Sequence, residues 1–235
     1  MNIWWPSDGS DEWLSKVDGM LTVSLLGELC RRRKANTERL EPILEVGVWK
    51  GAWTSVVLMN RLEPTVHGVD PYPALESVRE HMFARLMDLG VNDRFNLSNS
   101  LGDLVDEVTY SMIHLDGQHT EKQVEAELDF AADHLVEDGI IVVDDFRNAW
   151  FPGVASALFQ FIRTGDLKLF AVSECKAYLA RSPYSDVFYS HLERKFAGSD
   201  VLPVWSRWRQ WDGDGIAYIQ PPDVCGQRVL LCGMR

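Results

Sequence analysis

The chain has 235 residues, 46% of them hydrophobic and 25% charged, a globular balance that excludes a disordered, collagen-like or coiled-coil polymer and suits one large α/β core rather than two. Its 35 acidic side chains against 23 basic ones give a formal charge of −12, a field that repels phosphate backbones, so nucleic acid is not an expected partner. The 4 cysteines form no CxxC pair, the start shows no leader pattern, and the run Ile140–Val143 is far shorter than a membrane span; the expected setting is a reducing cytoplasm with no membrane association.

Residues 1–41 read as an N-terminal helical extension. Polar turns at Pro6–Gly9 precede apolar positions Leu14, Val17, Met20, Leu21, Leu25, Leu26 and Leu29, whose spacing of three and four predicts a helix. It closes on Arg31, Arg32, Arg33 and Lys34, which reads as a solvated helix end favoured by the helix dipole. From residue 42 strands and helices alternate: strands at 42–47 and 65–70 with helices at 51–61 and 74–89, strands at 95–99 and 111–116, a helix at 120–136, a strand at 139–144 and a helix at 152–164.

Repeated β–α units predict a doubly wound, mostly parallel sheet covered by helices on both faces. Leu167–Ser173 and Lys176–Arg181 are joined only by Glu174 and Cys175, too closely for a crossover helix, so they should close a seven-stranded sheet as an antiparallel hairpin. From Ser182 the chain reads as irregular, with Trp205, Trp208, Trp211, a turn at Gly213–Gly215 and an apolar run Val229–Cys232 that forms an edge hairpin or a cap. The expected organisation is one domain over 1–235, with a core at 42–182 and a cap or edge extension at 183–235.

The segment from Pro42 to Thr54 is an apolar strand, a glycine-containing turn and a helix start. Gly47 and Gly51 allow close approach of a ligand, and the helix N-terminus offers free N–H groups. Glu45 stands where a dinucleotide fingerprint needs glycine, which disfavours a pyrophosphate and suits a cationic ligand such as the ammonium and sulfonium of S-adenosylmethionine. Asp70 ends the second strand where doubly wound folds hold ribose hydroxyls. Glu45, Gly47, Gly51, Thr54, Asp70 and Ser100 are therefore the candidate cofactor residues, with Tyr72 as a further neighbour of the adenine or a plain turn residue.

At these residues the sequence resembles class I S-adenosylmethionine-dependent methyltransferases, over about 42–182. The phrase Gly47-Val48-Trp49-Lys50-Gly51 is similar to the turn of macrocin-type O-methyltransferases, with Lys50 for arginine and Ala52 for a second glycine. The resemblance implies a Rossmann-like fold ending in a reversed hairpin and methyl transfer to a hydroxyl of a small metabolite or natural product.

Asp116 ends one strand and Asp144-Asp145 the next, so three carboxylates reach one sheet edge. Ionised together they repel unless a cation lies between them, and oxygen ligands suit Mg²⁺, with Mn²⁺ or Ca²⁺ as alternatives. The other reading makes each a helix-cap residue. Asp116, Asp144 and Asp145 also resemble the metal triad of macrocin-type and catechol-type enzymes, and His119 stands where catechol-type enzymes keep a basic catalytic group. His119 is the leading proton acceptor and Asp116 its rival; His114, inside its strand, reads as a packing residue. Arg147, Asn148, Trp150 and Phe151 follow the acidic pair on the side from which a substrate approaches. Trp4, Trp5 and the three later tryptophans floor an acceptor site or pack against the core or a second copy of the chain, so a homo-oligomer is compatible with the sequence. Besides a metal-assisted O-methyltransferase, a metal-independent methyltransferase and a non-catalytic binder of S-adenosylmethionine remain open.

Overall fold

In a computed structural model the described residues are 14–35, 40–59, 64–71, 76–104, 107–199, 201, 223–225 and 227–232. The chain runs α1 (Lys16–Ala35), β1 (Ile43–Val46), α2 (Ala52–Met59), β2 (Val66–Val69), α3 (Glu76–Asp88), β3 (Phe95–Ser98), β4 (Tyr110–Leu115), α4 (Glu121–His134), β5 (Leu135–Val143), α5 (Pro152–Thr164), β6 (Leu167–Val172), β7 (Ala177–Arg181), α6 (Tyr184–Phe196), β8 (Asp223–Val224), β9 (Gln227–Arg228) and β10 (Leu230–Leu231). β1 and β4 are buried along their whole length, as expected of apolar runs covered on both faces.

The main sheet has the order β10-β6-β7-β5-β4-β1-β2-β3. β7 pairs antiparallel with both β5 and β6, and the other pairings in this sheet are parallel. One face packs on α1, α2, α3 and α6 through Leu25, Val57, Met82 and Phe188; the other packs on α4 and α5 through Leu128 and Leu158. Strand order reverses between β1 and β4, which opens a crevice at their carboxyl ends. The register carries this further, because Val46 lies beside Leu115, Leu115 beside Val143, and Val143 beside Ala177. The next residues along that edge are Gly47, Asp116, Asp144 and, since β7 runs the other way, Lys176.

Four sequence expectations change. The sheet has eight strands rather than seven, because Leu230–Leu231 adds parallel to β6 and covers an otherwise open edge. Residues after Ser182 are not all irregular: α6 buries Phe188, Tyr189, Leu192 and Phe196, a helical spacing present in the sequence. β5 begins at Leu135, directly after α4, so the helix stops two residues before Val136. The basic end of α1 is also less solvated than expected, since Arg32 and Arg33 reach Asp138 at 3.3 and 2.7 Å and Arg33 reaches Glu41 at 3.2 Å. The tryptophans at 4, 5, 205, 208 and 211 and the turns at 6–9 and 213–215 lie outside the described residues. No described helix is long and apolar enough to cross a membrane.

Candidate active site

The loop between β1 and α2 turns on Gly47 and Gly51, at φ +80° and +72°. A side chain at Gly47 would overlap the Asp116 carbonyl, so this turn and the end of β4 touch backbone to backbone. Asp70 braces the loop from β2: its Oδ2 accepts the N–H groups of Val48 and Trp49, each at 3.0 Å. Glu45 is buried, accepts the Thr54 hydroxyl and lies 3.4 Å through Oε1 from His114 Nδ1. That contact has ion-pair reach without hydrogen-bond geometry.

Glu45, Trp49, Trp53, His114, Asp116, Asp144 and Lys176 line a cleft of about 450 Å³, part of it open to solvent. Of the candidate cofactor residues, Glu45 thus faces the cleft with Thr54 behind it, while Gly47, Gly51 and Asp70 shape its rim loop. Ser100 lies exposed after β3, its N–H donating to Asp103 at 2.9 Å. Tyr72 is outside the described residues.

Two subclusters occupy the edge at β4 and β5. In the outer one, His119 Nε2 lies 3.0 Å from Asp116 Oδ1 and 3.3 Å from Asp145 Oδ2. Asn148 Nδ2 donates to Asp145 at 2.9 Å, and Phe151 stacks on the His119 ring with centroids 4.5 Å apart. His119 and Asp145 both adopt left-handed backbone, at φ 53° and 55°, a strained state that persists where surroundings over-determine it and that clusters at active sites. In the inner subcluster the Lys176 ammonium donates to Asp144 and lies 2.9 Å from His114 Nε2. The His114 ring stacks on Trp53 at 4.4 Å. Its Nε2 also lies 3.7 Å from Asp144 Oδ2, so His114 meets Glu45, Lys176 and Asp144 as well as packing.

The electrostatics follow from this enclosure. Burial and the charge of Asp144 push the Asp116 carboxyl up to about 6, although His119 and Lys176 oppose the shift. Burial pulls the His119 imidazole down, but its bond to Asp116 and the charges of Asp116, Asp145 and Asp144 more than offset it, leaving its pKa above the usual histidine value. Asp144 lies below the usual carboxylate range, because Lys176 and His114 together outweigh its burial.

The three aspartates expected to share a Mg²⁺ ion do not form one ligand set among the described residues. Two sets are present instead, His114–Asp116–Asp144 and Asp116–His119–Asp145, the ligand atoms of each lying within 4.8 Å of one another. The inner set fits a divalent ion poorly, since a lysine ammonium already touches two of its three members. The outer set fits by donor chemistry, two half-buried carboxylates and an imidazole, with His119 then a ligand rather than a proton acceptor.

The sequence places Lys176 only as the start of a strand, yet the signal for a site role is there: a residue opening the second strand of a terminal hairpin returns to the carboxyl edge of the sheet.

A doubly wound sheet with a glycine-turned loop, a cleft at the switch point and a reversed terminal hairpin defines a Rossmann-like α/β fold. Residues 44–146 match the family model of the methyltransferase domain. No curated protein sequence matches the chain. Solved structures similar to it include the O-methyltransferase NovP, 15% identical with TM-score 0.54, covering 70% of this chain and 80% of its own. TomG of Streptomyces achromogenes, an O-methyltransferase involved in tomaymycin synthesis and solved with S-adenosylmethionine, is 14% identical with TM-score 0.54, covering 72% and 81%. The O-methyltransferase of Bacillus cereus, solved with S-adenosylhomocysteine, is 14% identical with TM-score 0.52, covering 71% and 80%. At these identities the likeness speaks for the fold. Residues 44–146, the stretch that carries the glycine-turned loop, Asp116, His119, Asp144 and Asp145, are thus similar to a methyltransferase domain.

Proposed function

We propose that this enzyme moves the methyl group of S-adenosylmethionine to a hydroxyl of a small metabolite or natural product, with His119 as proton acceptor. The observation that carries the reading is the contact of His119 Nε2 with the Asp116 and Asp145 carboxylates, which accept its N–H and leave Nδ1 as the proton-accepting nitrogen. The acceptor oxygen attacks the sulfonium methyl in line, the carbon–sulfur bond breaks to release S-adenosylhomocysteine, and the hydroxyl proton passes to the neutral imidazole. Asp116 and Asp145 orient that imidazole and stabilise the imidazolium it becomes. Glu45 and Asp116 line the cleft beside Asp144, whose charge Lys176 meets, and these two carboxylates suit a cosubstrate carrying ammonium and sulfonium charge. Phe151 stacks on His119 and, with the exposed Trp150 that precedes it in the chain, offers apolar area to an acceptor. O-methyltransferase neighbours, one of them from natural-product synthesis, agree with this choice of acceptor.

A second reading is favoured by the donor chemistry of Asp116, His119 and Asp145: these would hold Mg²⁺ or another divalent ion, which when bound supplies a lowered pKa to the acceptor hydroxyl. Assaying S-adenosylhomocysteine release over a panel of catechols, sugars and macrolide-like alcohols, with and without chelator, separates the two. Turnover unaffected by chelator favours the first, and turnover restored only by Mg²⁺ favours the second.

Cofactor binding gives a further expected result. Asp70→Ala leaves two loop N–H groups without their carboxylate, and hydrogen bonds to charged groups are worth about 1.5 to 3 kcal/mol. Calorimetry with S-adenosylhomocysteine should show affinity weakened by about that amount; equal affinity in wild type and variant would remove Asp70 from the binding loop.

A further inference from the structure

Lys176 is 1% exposed, and lysine is almost never fully buried unless paired. Its backbone is fixed from both sides. Lys176 N–H donates to Ser173 Oγ at 2.9 Å, its carbonyl accepts from Ser173 N–H at 2.8 Å, and the neighbouring Cys175 carbonyl accepts from Phe146 N–H at 2.9 Å, tying the hairpin to the loop after β5. The side chain therefore has one destination, the inner end of the acid cluster, where it meets Asp144 and His114. An ammonium has only protons to give, so His114 Nε2 accepts and the ring proton sits on Nδ1, facing Glu45. Glu45, His114, Lys176 and Asp144 thus form one row of polar contacts along the cleft lining.

We infer that Lys176 is the built-in counter-charge of this cluster: its ammonium neutralises Asp144 in place of a divalent ion and positions Asp144, His114 and Glu45 along the cleft. A metal at Asp144 would have to approach within about 2.0 to 2.6 Å of an oxygen that already meets a fixed ammonium, and two cations at that spacing repel strongly where both are largely buried. Lys176 acts through its neighbours and is a positioning residue. The inference deepens the proposed reaction in its metal-independent form, but its main readouts do not require turnover.

The experiment is a thermal titration of chelator-treated full-length enzyme with MgCl₂, in wild type, Asp144→Asn and Lys176→Met. Wild type should show no Mg²⁺ stabilisation that depends on Asp144. Lys176→Met frees the Asp144 carboxylate, so it should gain a Mg²⁺-dependent rise in Tm by mass action. Its turnover without metal should fall about 10²-fold, as on losing one electrostatic donor, and recover in part with Mg²⁺. A wild-type rise that Asp144→Asn abolishes overturns the inference, as does a folded Lys176→Met with no Mg²⁺ response. If Lys176→Met does not fold, a Mn²⁺-soaked wild-type crystal decides: anomalous density within about 2.5 Å of the Asp144 carboxylate refutes the inference, and its absence there supports it. A wild type that neither binds S-adenosylhomocysteine nor methylates any panel compound would sink the proposed reaction while leaving the thermal and crystallographic arms readable.

Discussion

His119→Ala should lower kcat by about 10² to 10⁴-fold, the usual worth of a positioned general base, while S-adenosylhomocysteine affinity stays close to wild type. The side chain lies in the outer subcluster and is not among those lining the cleft, so its removal spares the bracing of the β1–α2 loop by Asp70. The pH profile carries the discrimination. Only the neutral imidazole accepts a proton, and the His119 pKa is raised above the usual 6.5, so kcat in wild type should climb as pH rises through that elevated value. Stability should move the opposite way. A histidine whose folded pKa exceeds its unfolded one contributes stability fully present below about 6.5 and lost as pH rises through the folded pKa. Tm should fall in the window where activity rises, and His119→Ala should flatten that part of the Tm–pH curve. A variant with near wild-type kcat in an enzyme that needs Mg²⁺ would transfer the proton to Asp116 or solvent.

Gly47→Ala should be the most damaging single substitution in the loop between β1 and α2. The residue sits at φ +80°, and an added Cβ would overlap the Asp116 carbonyl oxygen and carbon. Two costs add. A non-glycine residue held in strained backbone costs about 1 to 3 kcal/mol, and overpacking against an immovable group costs about 1 to 3 kcal/mol more. A loss of about 4 kcal/mol corresponds to a fall in Tm of roughly 10 °C for a chain of this size, and S-adenosylhomocysteine binding should be lost with it because β1 and β4 separate at the switch point. Gly90→Ala is the matched control, with φ +65° but no atom within 4 Å of the added carbon. It isolates the backbone term and should cost only about 1 to 2 kcal/mol. Equal Tm for the two variants would refute the close approach of the β1 turn to Asp116.

Much of this architecture follows from local pattern alone. Apolar runs at Ile43–Val46 and Ile140–Val143, helical spacing in α2 through α5, and the short link between β6 and β7 each express a periodicity that the backbone must satisfy wherever the segment ends up. The same locality located the glycine turn, Asp116, His119 and the pair Asp144-Asp145, because strand-ending polar residues must emerge at the sheet edge. The α6 pattern of Phe188, Leu192 and Phe196 was equally local and was obscured by the irregular composition that follows it. Sheet membership of Leu230–Leu231 was not local, since a two-residue strand is specified by the open edge it meets.

The division of the acid cluster belongs to tertiary structure. Adjacent residues Asp144 and Asp145 look equivalent in sequence, yet the left-handed backbone at Asp145 turns its carboxylate outward to His119 and Asn148 while Asp144 faces inward to Lys176. The partner that distinguishes them comes from β7, and only the antiparallel register of Val143 with Ala177 brings it there. Spacing along the chain determined which carboxylates share an edge. Which cation each one meets was decided by long-range strand pairing, because a charge buried in a dry interior is stable only beside a partner that another segment delivers.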